Sequence, residues 1–216
     1  MKLVLFDCDG TLVDSADIIH ASMVTTFREA GLPVPTPEAT KGIIGLTLDI
    51  AIATLLERPL DDECRNLAAR YKEHFIASSH RPDFREPLFD GIAQLLGTLA
   101  ARDDVLIGMV TGKSRRGVHR VLETHGFERH FLTIRTADDC PSKPHPAMVL
   151  ECCAEMGVDP ASTLVVGDAI YDMQMAKSAG ARAIGVSWGY HHREGLLATG
   201  ADAVIDTPGE LLAFID

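Results

Sequence analysis

Five short apolar runs, at residues 3–6, 105–110, 131–134, 163–166 and 183–187, are nearly unbroken rather than alternating. A strand with one face in water alternates apolar with polar residues. An unbroken run needs both faces covered, as in a parallel sheet flanked by helices. A weaker sixth run lies at 203–205. Between the runs, helical patterns occupy residues 91–101, 114–125, 146–156 and 172–179. Ser114 and Asp172 suit helix starts, and Gly126, Gly157 and Gly180 suit helix stops. This alternation points to an α/β fold with a doubly wound parallel sheet.

One interval breaks the rhythm. Residues 16–83 contain no strand-like run, while Ile18, Ile19, Ser22, Met23, Thr26, Phe27 and Ala30 recur at helical spacing. Thr36 suits an N-cap with Pro37 at the first helical position, and two further helical stretches follow. The expected organisation is therefore a core built from 1–15 and 84–216, interrupted by a small α-helical insert over 16–83. The links would be 12–16 and 79–86. The chain's 216 residues suffice for one full core plus such an appended unit.

Composition removes several classes of function. The net charge is −11 and no Lys/Arg cluster appears, so no nucleic-acid partner is expected. No stretch approaches the roughly 20 apolar residues of a membrane span. The five cysteines (Cys8, Cys64, Cys140, Cys152 and Cys153) are odd in number and contain no C-x-x-C pair, which fits a reducing cytoplasm. The acidic surface repels anions at long range, so any anion site must be local.

In open α/β sheets, ligands bind outside the carboxyl ends of the strands. The first run ends in Asp7-Cys8-Asp9, followed by Gly10 and Thr11. The second ends in Thr111, Gly112, Lys113 and Ser114. The loop after the third carries Lys143 in "CPSKPHP", and the fourth leads into Asp168 and Asp172. Several carboxylates cannot all stay ionised at close range without a cation, and oxygen-only ligands favour a hard ion such as Mg²⁺. A hydroxyl, a backbone N–H and a lysine make a compact anion cradle. That pairing is what phosphoryl transfer requires.

These motifs resemble those of the haloacid dehalogenase superfamily of phosphohydrolases. D-x-D-G-T matches residues 7–11, the threonine and lysine motifs match Thr111 and Lys143, and G-D-x-x-x-D matches Gly167-Asp168 to Asp172. The resemblance implies that Asp7 attacks phosphorus and that Asp9 protonates the leaving oxygen and then activates water. It implies that Thr111, Gly112 and Lys143 hold the phosphoryl group. It also implies Mg²⁺ on the side chains of Asp7 and Asp168 and the carbonyl of Asp9, with Asp172 holding Lys143 or a metal-bound water. The helical insert looks like the family's cap. The general pattern is similar to the phosphoglycolate phosphatases, acting on a small phosphorylated metabolite. A β-phosphoglucomutase-like mutase, or a phosphatase for another sugar phosphate, nucleotide or pyrophosphate, remains open. A true dehalogenase is disfavoured, because it lacks the acid at the Asp9 position.

Specificity is expected from the insert. "KGIIGLT" places Lys41, Gly45 and Thr47 where the family's cap loop faces the active site, and Lys113 is a further candidate for a substrate's second anion. His145 is expected to shape its turn. The loop holding Trp188, Tyr190, His191 and His192 is expected to be mostly solvated.

Overall fold

A computed structural model describes residues 1–82 and 84–215. The expected cap boundary at Asp83 lies outside the described residues. The strands are β1 (Lys2–Phe6), β2 (Val105–Val110), β3 (Thr133–Arg135), β4 (Thr163–Gly167), β5 (Arg182–Val186) and β6 (Ala203–Ile205). They form one parallel sheet in the order β3-β2-β1-β4-β5-β6. The centre of that sheet explains why β1 is unbroken in apolar character. Val4 and Phe6 enter one core cluster and Leu3 and Leu5 the other, and all four are fully buried. Burying each such side chain stabilises the fold by about 1.5–3 kcal/mol.

Helices cover both faces. The Val4/Phe6 side receives α5 (Ile92–Ala100) and α6 (Arg115–His125), while the Leu3/Leu5 side receives α7 (Ala147–Met156) and α8 (Ile170–Ala179). The short α9 (Arg193–Ala198) follows β5. Two expected boundaries shift. The third strand begins at Thr133, because Leu132 bonds Ile107 ahead of the ladder. Asp172 does not start its helix. It sits in the first turn of α8 and its Oδ2 accepts the Ala169 N–H at 3.1 Å.

The interval that breaks the rhythm folds as α1 (Ala16–Glu29), α2 (Pro37–Lys41), α3 (Leu48–Leu55) and α4 (Asp62–Ser79). Thr36 caps α2 by accepting the Ala39 N–H, and Asp61 caps α4 through Cys64. These helices bury a third cluster of their own, centred on Met23, Phe27, Ile52, Leu67 and Tyr71. The chain enters and leaves this unit along paired segments. Asp14 donates to Pro87, Phe89 donates to Leu12, and Val13 bridges Leu88 in antiparallel register.

Candidate active site

The carboxyl ends of β1, β2 and β4 meet at one point, which follows from their adjacency in the sheet. Asp7 is buried there, and Lys143 and Asp172 join it. Lys143 donates to Asp172 Oδ1 at 2.6 Å. Its Nζ also forms an ion pair with Asp7 Oδ1 at 2.9 Å, and neither Asp7 oxygen accepts a well-aligned hydrogen bond. Asp168 is buried alongside. Its Oδ1 accepts the Thr11 hydroxyl at 2.9 Å and its Oδ2 accepts the Tyr190 N–H at 2.9 Å. Oxygens of Asp7, Asp168 and Asp172 lie within 4.8 Å of one another.

That crowding shows in the proton affinities. Burial pushes the Asp7 carboxyl up to about 7, Asp172 adds to the rise, and Lys143 opposes both. Asp168 is held well above the usual carboxylate range by burial, then by Asp7 and Asp172. Lys143 is pulled down by burial, but Asp172 and Asp7 overcome this and leave it raised. Three buried carboxylates with one lysine are short of positive charge. Two Asp7 oxygens without a well-aligned hydrogen bond and an all-oxygen donor set therefore fit a hard divalent cation.

The glycine of the first motif is explained here. Gly10 has φ +86°, and a side chain on it would collide with the Asp168 carboxyl. The turn from Asp9 to Val13 wraps directly over that carboxylate.

Asp9 stands apart from the buried trio and has different partners. Its Oδ1 accepts the Ser15 hydroxyl at 2.6 Å and Lys113 Nζ at 2.7 Å. Lys113 also donates to Glu86 Oε1 at 2.8 Å, and Arg120 donates to Glu86 Oε2 at 2.8 Å. Phe75 of α4 lies 5.7 Å from Lys113 Nζ and 5.2 Å from the Arg120 guanidinium. Lys113, the candidate for a substrate's second anion, has its ammonium paired with two carboxylates, Asp9 and Glu86. Ser15, Glu86 and Arg120 were not singled out by sequence. Ser15 ends the "DGTLVDS" stretch, whereas Glu86 reaches across 27 residues to Lys113 with no local signal.

Thr111 is buried at the end of β2, where its Oγ accepts the Lys113 N–H and keeps its own proton to donate. Gly112 lies under the insert. A Cβ there would come within 2.6 Å of the Gly45 carbonyl oxygen and 2.7 Å of the Leu46 carbonyl oxygen. The same loop is held by Ser142, which accepts the Thr47 N–H, and by Tyr171, which donates to the Gly42 carbonyl. Gly45 and Thr47 therefore border a cavity of about 640 Å³ that also exposes Asp7, Asp9 and Thr111. Lys41 is not among the residues lining it; its Nζ lies 6.0 Å from the Tyr190 ring. Gly112→Ala is expected to push the 42–47 loop off the core, lowering kcat/KM by about tenfold and the thermal midpoint by a few degrees. Steady-state kinetics and a thermal melt check it.

His145 shapes its own turn, with Nδ1 accepting the Ala147 N–H. His191 packs against the Tyr171 ring. Tyr190 is more than a solvated loop residue. Its hydroxyl accepts the Ser15 and Ala16 N–H groups and donates to Asp14, while its own N–H holds Asp168. One residue thus ties the start of α1 to the carboxylate cluster. No helix of the described residues is long and apolar enough to cross a membrane.

Comparison with known proteins agrees with this geometry. The chain is 34% identical to a phosphoglycolate phosphatase from Chromobacterium violaceum, over 98% of this chain and 95% of that protein. It is 33% identical to an N-acetylmuramic acid 6-phosphate phosphatase from Pseudomonas putida, over 100% and 96%. A solved haloacid dehalogenase-like hydrolase from Bacteroides fragilis superposes with a TM-score of 0.89 at 25% identity, over 97% of this chain and 99% of that one. The family model of the haloacid dehalogenase-like hydrolases matches residues 4–186. With its carboxylates, lysine and threonine gathered at one sheet edge, the chain belongs to the haloacid dehalogenase-like hydrolases and is a phosphatase.

Proposed function

We propose that the protein hydrolyses a small phosphorylated metabolite through an aspartyl-phosphate on Asp7, with Mg²⁺ as cofactor and phosphoglycolate phosphatase-like overall. The observation that carries this reading is Asp7 itself. It is a buried carboxylate whose oxygens accept no well-aligned hydrogen bond, ion-paired with a lysine and lining an open cavity.

Asp7 and Asp168 would hold the ion with their side chains and Asp9 with its carbonyl, while Asp172 is occupied by Lys143. Bound there, Mg²⁺ would draw charge from the transferring phosphoryl oxygens and ease their approach to Asp7. Lys143, the Thr111 hydroxyl and the Gly112 N–H would bind the remaining phosphoryl oxygens. One Asp7 oxygen attacks phosphorus as the ester oxygen leaves. Asp9 gives that oxygen its proton, then takes a proton from the water that cleaves the acyl phosphate. Ser15 and Lys113 grip Oδ1 of Asp9, which orients Oδ2 for both transfers. The two aspartates divide the work because their surroundings differ: one faces the cation site, the other a lysine and a hydroxyl.

Residues 16–83 would act as the cap, with Gly45 and Thr47 contributing to substrate choice from the cavity wall. The five buried, unbridged cysteines fit a cytoplasmic location. The testing experiment is phosphate release from a panel of phosphorylated metabolites, with and without divalent metal. Activity is expected to vanish in excess EDTA and return with Mg²⁺. Full turnover in EDTA would overturn the metal assignment.

A further inference from the structure

Five cations line the cavity: Arg65, Lys72, Lys113, Arg116 and Arg120. Three are committed to carboxylates. Arg65 pairs with Asp62, Lys113 with Asp9 and Glu86, and Arg120 with Glu86. Lys72 and Arg116 have no carboxylate partner among the described residues. The acids on the cavity wall are otherwise engaged. Asp49 accepts the Thr47 hydroxyl and the Ile50 N–H, and Asp138 accepts the Arg115 N–H.

The two unpaired cations come from different bodies. Lys72 stands on α4 of the helical unit, one turn on from Ala68 and Ala69, which also line the cavity. Arg116 stands on α6 of the core, beside Gly117. Both side chains are exposed, and the Lys113 side chain packs over Gly117 between Arg116 and the cavity floor. The chain as a whole carries −11, so cations that are not tied to carboxylates are the groups at this opening available to pair with an incoming anion.

The space is also larger than a minimal substrate needs. At about 30 Å³ for each water-sized group, 640 Å³ holds roughly twenty of them. A two-carbon phosphorylated acid, with about nine non-hydrogen atoms, would fill less than half. The cavity wall also carries apolar residues, Ile43, Ile44, Tyr71 and Phe75 among them.

We propose that Lys72 and Arg116 form a second anion subsite, and that the preferred substrate is a phosphomonoester of sugar size whose far end carries a carboxylate or a second phosphate. This rests on the reading of Asp7 as the phosphoryl end of the cavity. With one cation supplied by each body, the far anion is gripped from both sides only while the helical unit rests on the core. Recognition of the substrate's far end is thereby coupled to assembly of the site.

The test measures competition with p-nitrophenyl phosphate hydrolysis, in the wild type and in a Lys72→Met/Arg116→Met double variant. Two pairs of competitors isolate the far charge. 6-Phosphogluconate against sorbitol 6-phosphate reports on a carboxylate, and fructose 1,6-bisphosphate against fructose 6-phosphate reports on a phosphate. In at least one pair the doubly anionic member is expected to compete about tenfold more strongly in the wild type, and within about twofold in the variant. Equal competition within both pairs would overturn the subsite, as would a preference that the double variant retains. The p-nitrophenyl phosphate rate reports separately on the Asp7 chemistry. If the wild type lacks that rate, the reading of Asp7 fails and takes the subsite with it.

Discussion

Asp7→Asn is expected to reduce phosphatase turnover by ~10⁴-fold or more, because an amide cannot attack phosphorus and regenerate by acyl-phosphate hydrolysis. The fold should survive the change. Asparagine keeps the shape of the side chain, and the substitution removes one of three buried carboxylates that share a single lysine. Lys143 keeps its bond to Asp172. The metal-free variant is therefore expected to melt at or above the metal-free wild type, since a crowded negative charge has gone. Turnover within tenfold of wild type would sink the nucleophile assignment, and circular dichroism with a thermal melt separates lost chemistry from lost structure.

Lys143→Met should damage both. Lys143 is fully buried and bonds Asp172 while facing Asp7 at 2.9 Å. Methionine fills a similar volume but leaves a group of buried carboxylates with no cation among them. Breaking a buried pair by removing one partner costs about 3–5 kcal/mol, which for a chain of this size lowers the thermal midpoint by about 10 °C or more. Loss of one donor to the transferring phosphoryl group lowers kcat by about 10²–10³-fold. Adding Asp172→Asn to this variant should restore much of the stability and none of the activity. A melting point for the single variant close to wild type would show that Lys143 is not what makes the cluster tolerable.

The fold was legible wherever burial writes itself into the local pattern. β1, with four consecutive fully buried apolar side chains, could only be a central strand. Its aspartates, and the distant Thr111, Lys143 and Asp168, were legible because sheet order gathers strand ends and the chemistry of each residue type is distinct. What escaped was direction. Lys41 and Lys113 are both polar residues near the right loop, and sequence does not say which way a lysine points. The Lys41 Nζ lies near the Tyr190 ring and off the cavity lining, while Lys113 is paired with Asp9 and Glu86. Glu86 and Tyr190 escaped for a related reason. Lys113 lies 27 residues from Glu86, and the Ser15 and Ala16 N–H groups lie more than 170 residues from the Tyr190 hydroxyl, so no local pattern announces either contact.

The paired segments on which the helical unit hangs carry a consequence for how such proteins diversify. Leu12–Asp14 and Pro87–Phe89 lie side by side in antiparallel register, so everything between them leaves and rejoins the core at one spot. Closing an excursion between neighbouring anchor points costs little more for a long segment than for a short one, since each doubling of loop length adds only about 0.6 kcal/mol. The anchoring of the sheet is thus little affected by the length of what is inserted. A lineage could trade the whole helical unit for another, acquiring new substrates, while the dephosphorylating chemistry beneath stayed as it was.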